Sequence, residues 1–177
     1  MILAEVDPRH ATWLTGTIAY TLATVACAGA GIRAGKARGW WWAMAALAAA
    51  LTIDLQTNYR FYLSGLLSGI ARDGHWYDGR RPIQAAFLAA GGLAGIMLTA
   101  WLLWGVRRHG WPLRLGLFGT ALGAALFLLD VVSLHQVDEI LNATVGRIMA
   151  IGIGWVVAAT FLTAGAWGAA RQNRRRY

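Results

Sequence analysis

The chain has 177 residues, of which 58% are hydrophobic and only 14% are charged, whereas a typical soluble domain is about 45–50% apolar and about 25% charged. This balance excludes a soluble globular domain and a disordered chain, and it indicates apolar surface in contact with a lipid bilayer. The net charge of +8 does not indicate nucleic-acid binding, because the arginines flank apolar runs instead of forming a stripe. The single cysteine, Cys27, excludes thiol–disulfide chemistry, which requires two thiols.

Five apolar runs follow one another along the chain, and each is long enough to cross a hydrocarbon core about 30 Å thick. They cover residues 10–32, 39–62, 83–106, 112–136 and 144–170. The remaining stretches are too short for a separate soluble domain, so we expect residues 1–177 to form a single membrane domain. The sequence therefore predicts an all-α polytopic integral membrane bundle of about five transmembrane helices.

The basic residues predict the orientation of this bundle. Ten of the sixteen lysines and arginines fall in the turn after the first run, the turn after the third run and the C-terminal tail, and six fall on the opposite side. Cytoplasmic loops carry an excess of Lys and Arg. We therefore expect an outer N-terminus and an inner C-terminus, in a bacterial cytoplasmic membrane. The expected partners are the bilayer and either further copies of the chain or a larger membrane complex.

Two pairs of glycines predict places where helix backbones approach closely. Gly91 and Gly95 are four residues apart in the third run, and Gly119 and Gly123 have the same spacing in the fourth. Small residues at this spacing are typical of tight contacts between membrane helices. We interpret the glycines as packing positions and not as ligand sites.

Polar side chains are concentrated at the ends of the second and fourth runs. Ionisable residues inside spans are costly, and their presence indicates function unless a structural role explains them. Because both runs lead from the inside to the outside, the two clusters are expected at similar depth in the outer half of the membrane. Helical spacing places Asp54, Asn58 and Tyr62 on one face of the second helix, and His135 within reach of Asp138 and Glu139 in the fourth.

The first functional hypothesis is an outward-facing pocket that binds a metal or a redox cofactor, as part of a membrane redox enzyme, a metal-delivery factor or a respiratory-complex partner. Imidazole and carboxylate ligands suit several transition metals, so the cofactor itself stays unknown. We expect His135 to face the bundle interior. The predicted ligands are His135, Asp138, Glu139 and Asp54, with Asn58, Tyr59 and Arg147 behind them. His75 and Asp78, in the longest loop, are predicted to close over the pocket as a lid.

Two alternatives remain open at this point. The protein could be an enzyme that acts on a lipid or isoprenoid substrate by acid–base chemistry. Its catalytic acids would then be Asp54, Asp130 and Glu139, and its anion or headgroup contacts would be Arg60, Arg80 and Arg81. It could instead be a non-catalytic structural subunit of a membrane complex, in which Asp54 pairs with Arg60 and Arg147 pairs with Asp138 or Glu139.

One segment of the fourth run resembles an uncharacterised bacterial family of multi-span membrane proteins. The segment reads Phe127-Leu-Leu-Asp130-Val-Val-Ser-Leu-His135-Gln136. In that family a span carries an acid, then four residues, then His-Gln or His-His, and a second His-His about six residues later. Here Leu141 and Asn142 stand at the later positions. The resemblance implies a metal or haem role through its histidines, and it implies no particular activity.

Overall fold

The structure is a computed structural model that describes residues 7–73, 80–132 and 139–174. Most of the described chain is helical, which confirms the predicted all-α class. The long helices are α1 (Pro8–Arg33), α2 (Arg38–Thr57), α3 (Tyr59–Asp73), α4 (Arg80–Gly105), α5 (Trp111–Val132) and α6 (Ala150–Arg174). A short antiparallel hairpin of β1 (Thr144–Val145) and β2 (Ile148–Met149) precedes α6.

Three helices of the described chain are long and apolar enough to cross a membrane. They are Pro8–Arg33, Trp111–Val131 and Ala150–Gln172. Their length and composition indicate that the protein associates with a membrane. The remaining two predicted spans correspond to α2 and to α4. In α4 the apolar stretch of the described chain is shorter and covers Gly95–Gly105.

Close contacts at small residues fix the relative directions of the helices. A Cβ added to Gly16, near the start of α1, would lie 2.6 Å from the Trp155 ring of α6 and 3.1 Å from Leu55 at the end of α2. At the other end of α1, a Cβ on Gly31 would lie 3.1 Å from the Trp42 ring, near the start of α2. α2 therefore runs antiparallel to α1, and α6 runs parallel to it.

The same kind of contact joins α5 to α6. A Cβ on Gly119 would lie 2.6 Å from the Ala158 carbonyl oxygen, and one on Gly123 would lie 2.8 Å from the Tyr20 hydroxyl of α1. These distances confirm the predicted close approach along the fourth apolar run. Gly95, in contrast, has no atom of the described chain within 4 Å of its would-be Cβ, so the close contact predicted there is absent from the described structure.

The predicted second span is too long, because the helix breaks at Asn58. This residue has the left-handed conformation, with φ of 55°, and α3 begins immediately after it. Asparagine tolerates this conformation better than other non-glycine residues, and its left-handed backbone ends α2, while its N–H still donates to the Asp54 carbonyl at 2.7 Å. The prediction that Asp54, Asn58 and Tyr62 share one helical face is therefore wrong, since Tyr62 belongs to α3.

The predicted fifth span also begins too early. Residues 144–149 form the hairpin, in which Thr144 pairs with Met149 and Val145 pairs with Ile148. Gly146 occupies the turn with φ of 68°, a conformation that glycine adopts without strain. The β-branched residues around it favour extended backbone. In the fourth run, residues 133–138 lie outside the described chain, so the predicted end at residue 136 is not tested.

Candidate functional site: a charged triad under a cavity at one end of the bundle

Arg60, at the start of α3, lies between two carboxylates from different helices. Its Nε is 3.1 Å from Asp130 Oδ2 on α5, and its Nη1 is 3.7 Å from Asp54 Oδ2 on α2. The Nε–H does not point directly at Asp130, so this contact is an ion pair without hydrogen-bond geometry. We call Asp54, Arg60 and Asp130 the triad, and the end of the bundle that holds them the triad end.

The triad is largely removed from solvent. The side chains of Arg60, Asp54 and Asp130 are 8%, 9% and 18% exposed. A buried charge is strongly destabilising unless it is paired, so these three side chains must be considered together. Aromatic rings complete the surroundings of the cation, because the Arg60 Cζ lies 4.9 Å from the Trp155 ring centroid and 5.3 Å from that of Phe61.

Asp54 has a second task, which explains why the chain turns where it does. Its Oδ1 accepts a hydrogen bond of 2.9 Å from the backbone N–H of Arg60. The first N–H groups of a helix have no partner within the helix, and a carboxylate at this position satisfies one of them and favours the positive end of the helix dipole. One carboxylate thus links the end of α2 to the start of α3 and positions the guanidinium.

A cavity of about 850 Å³ lies against the triad at this end of the bundle. Arg60 and Asp130 line it, whereas Asp54 does not. Its walls include the rings of Trp13, Phe61 and Trp155. Charged groups of both signs face it, namely Asp7 and Asp130 with Arg9 and Arg60, together with the imidazole of His10. The lining of the cavity therefore combines aromatic with charged side chains.

Hydrogen bonds hold the walls of this cavity in place. The Trp13 indole N–H donates to the Leu55 carbonyl, which joins α1 to the end of α2. Thr12, which is 2% exposed, accepts a hydrogen bond of 2.8 Å from the Met149 backbone N–H and donates its own hydroxyl to the Pro8 carbonyl at 2.6 Å. The hairpin is thus anchored to α1 beside the cavity, where Met149 is a lining residue.

The structure brings together part of the predicted site. The expected pair of Asp54 with Arg60 is confirmed, and Asp130 joins it, so polar groups from the second and fourth runs do converge. Asn58 lines the cavity, while Tyr59 is exposed. Glu139 and Arg147 are both exposed, and the described structure shows no ion pair between them.

Several predicted site residues lie outside the described chain. They are His75 and Asp78 of the predicted lid, and His135 and Asp138 of the predicted metal ligands. Arg80 and Arg81 form the first turn of α4. Among the residues that the structure does describe, no group of three or more His, Cys, Asp or Glu side chains is placed to hold a metal ion. The proposed metal set, which needs His135 and Asp138, stays a prediction.

Most of the residues that line the cavity were not predicted from the sequence, and they include His10, Trp13 and Trp155. His10 stacks near Trp13 with 5.3 Å between ring centroids. The sequence does place these three residues near the start of the first and fifth apolar runs. These starts are expected on the same side of the membrane as Asp54 and Asp130.

Comparison of the chain with protein-family models, with curated proteins and with solved structures found no match in any of the three. The resemblance of the segment around Asp130 to a membrane family therefore receives no support from these comparisons.

Proposed function

We propose that the protein is a small integral membrane protein that binds the polar head of an amphipathic molecule, a lipid or an isoprenoid, in the cavity at the triad end. The observation that carries the proposal is the cavity itself, which is lined by both aromatic and charged side chains at one end of a bundle of apolar helices. A volume of about 850 Å³ is in the range of known small-molecule sites, which are about 300–1,000 Å³.

The charges of the cavity favour an uncharged or zwitterionic head. Arg60 is the buried cation, and two carboxylates already neutralise it. A guanidinium so engaged attracts a phosphate less than a free one, which weakens the role of Arg60 as an anion contact. The remaining charged groups, Asp7 and Arg9, are of opposite sign and both lie on the cavity. A head with both signs of charge, or with hydrogen-bonding groups alone, fits this lining best.

An enzymatic form of the proposal gives the acid–base role to Asp130. Of the three acids named as catalytic candidates, Asp130 lines the cavity, whereas Asp54 caps α3 and Glu139 is exposed. His10 also lines the cavity, so its imidazole is a second candidate for proton transfer to or from a bound molecule. If the ligand is converted, Asp130→Asn should retain the unconverted molecule, so its bound species should differ in mass from that of the wild type.

Native mass spectrometry of the detergent-purified protein tests the binding proposal. We expect one amphipathic molecule per chain in the wild type, and its loss in Asn142→Trp, since Asn142 lines the cavity and is exposed. Thr144→Trp is the matched control, because Thr144 is exposed two residues further along the chain and does not line the cavity. A wild type without adducts, or equal adducts in both variants, would contradict the proposal.

A metal or redox-cofactor function is a second proposal, which one observation favours. Asp130 lies on the cavity, and the segment with His135 and Asp138 follows it directly. Elemental analysis of the wild type, His135→Ala and Glu139→Gln tests this function. Bound transition metal in the wild type that disappears in His135→Ala supports it, whereas a metal-free wild type with a bound amphiphile supports the first proposal.

We further propose that α1, α2, α4, α5 and α6 all span a bacterial cytoplasmic membrane, with the triad end outside. The directions of the helices agree with alternating spans, since α1 and α6 run parallel and α2 runs antiparallel to α1. Accessibility of a C-terminal tag to a membrane-impermeant reagent in intact cells tests this topology. Protection of the tag is expected, and labelling without membrane disruption would reverse the orientation.

A further inference from the structure

The end of the bundle opposite the triad, which we call the basic end, carries cations without acids. It is formed by residues 31–42, 105–116 and 166–174, and no Asp or Glu occurs in these segments. The exposed cations of the described chain at this end include Lys36, Arg38, Arg107, Arg108, Arg114 and Arg171. The two ion pairs of Arg60 lie at the other end of the bundle. An external anion is therefore the natural counter-charge at the basic end.

Contacts between helices show that these segments do meet. A Cβ on Gly168 of α6 would lie 2.7 Å from the Trp111 ring at the start of α5, and one on Gly116 of α5 would lie 3.1 Å from the Trp41 ring. Trp40 and His109 line one small cavity of about 150 Å³, together with the end of α4. The start of α2, the turn from α4 to α5 and the end of α6 thus form one surface.

Two arginines of this surface are stacked on exposed tryptophans. The Arg107 Cζ lies 4.3 Å from the Trp104 ring centroid, and the Arg171 Cζ lies 3.6 Å from that of Trp167. The two rings are 61% and 60% exposed. Stacking uses the flat face of a guanidinium and leaves its N–H edge available, and that edge is the part which binds phosphate oxygens in pairs.

A third arginine is fixed next to the first. Arg114 donates a hydrogen bond from Nη2 to the Arg107 backbone carbonyl across the turn between α4 and α5. This contact holds the Arg114 side chain over the turn that carries Arg107 and Arg108. Ordering the side chain in advance lowers the entropy that an incoming anion would have to remove. Exposed tryptophan rings beside the arginines are typical of the headgroup level of a bilayer.

We propose that the basic end is a binding site for the phosphate of anionic phospholipids, with Arg107, Arg114 and Arg171 as the contacting side chains. The phosphate oxygens accept the N–H edges of the stacked guanidinium groups, and Trp104 and Trp167 lie at the same depth against the upper acyl chains. A lipid fits this surface better than free phosphate, because the exposed tryptophan rings need an apolar neighbour. This proposal does not depend on the cavity at the triad end.

The test uses the purified full chain and counts bound lipid by native mass spectrometry after addition of phosphatidylglycerol or phosphatidylcholine. We expect the wild type to prefer phosphatidylglycerol. The triple variant R107Q/R114Q/R171Q should lose about a hundredfold in affinity for this lipid, because it removes three charge contacts with the phosphate. R147Q removes an exposed cation on the hairpin turn at the triad end and should leave the preference unchanged. R107K/R114K/R171K keeps the charges, and it should lose part of the preference because lysine cannot stack and bind in pairs.

Equal binding of both lipids by the wild type would overturn the proposal, as would an unchanged preference in the triple Gln variant. A loss of equal size in R147Q would show a general effect of net charge and would also overturn it. Inorganic phosphate at millimolar concentration should not displace the lipid, and complete displacement would mean a site for a soluble anion. Melting temperatures in phosphatidylcholine alone should agree between wild type and variants, which shows that the variants are folded.

Discussion

Arg60 donates its backbone N–H to Asp54 Oδ1 at 2.9 Å and places its guanidinium 3.7 Å from Oδ2 of the same carboxylate. One acid at the end of α2 therefore both starts α3 and fixes the cation that α3 carries. Because the guanidinium also forms an ion pair with Asp130 on α5, this arrangement connects three helices beside the cavity. It is the part of the molecule in which a structural requirement and a candidate binding function coincide.

Asp54→Ala should destabilise the protein by about 2–3 kcal/mol, because it leaves a buried guanidinium with one partner and the start of α3 without a cap. Asp54→Asn should cost about half as much, since the amide oxygen still accepts the Arg60 N–H. The measurement is thermal unfolding in detergent, followed by circular dichroism. Equal melting temperatures for the two variants would contradict the capping role of this side chain.

Arg60→Met should be more damaging than Asp54→Ala, at about 3–5 kcal/mol, because it leaves two carboxylates close together with no cation between them. Adding Asp130→Asn to Arg60→Met should recover part of this loss. The double-mutant cycle of Arg60 and Asp130 is measured by the same unfolding experiment. Additive effects of the two substitutions would mean that the ion pair does not contribute to stability.

The glycines of α5 offer a test of helix packing with a control inside the chain. Gly119→Ala should destabilise by about 1–3 kcal/mol, because its Cβ would lie 2.6 Å from the Ala158 carbonyl oxygen and 2.8 Å from the Leu162 nitrogen. Gly95→Ala meets nothing within 4 Å in the described structure, so helix propensity should make it neutral or stabilising by up to about 1 kcal/mol. A large loss at Gly95 would instead reveal a partner helix on α4.

Thr12→Val should loosen the hairpin, because it leaves the half-buried Met149 N–H without the hydroxyl that accepts it at 2.8 Å. We expect a loss of about 1–3 kcal/mol in stability and faster hydrogen exchange at Met149. Thr21→Val is the control, since Thr21 is exposed and its hydroxyl bonds only to the Thr17 carbonyl of its own helix. Similar effects of the two substitutions would argue against an anchored hairpin.

The sequence predicted the first helix closely, at residues 10–32 against Pro8–Arg33, because an apolar run is bounded there by charged residues. It also predicted that Asp54 and Asp130 converge, since both stand near the ends of helices expected to run in the same direction. It could not predict the break at Asn58. Apolar residues resume after Arg60, and the left-handed turn accompanies a local hydrogen bond from the Arg60 N–H to the Asp54 side chain, which the apolar pattern does not show.

The hairpin at residues 144–149 was missed for a related reason. A short run of β-branched and apolar residues reads equally well as the first turns of a buried helix. What decides the outcome is the contact of Met149 with Thr12, which is 137 residues away along the chain. The aromatic lining of the cavity could not be predicted for the same reason, because Trp13 and Trp155 are far apart in the sequence and come together only in the folded bundle.

The most direct test of the central claim is an experimental density map of the wild-type protein in lipid nanodiscs. We predict density for one amphipathic molecule with its head against Arg60 and Asp130, between the rings of Trp13 and Trp155, and with Arg60 still between its two carboxylates. A cavity filled by the protein's own side chains, or a compact metal peak coordinated by His135 in place of an amphiphile, would contradict it.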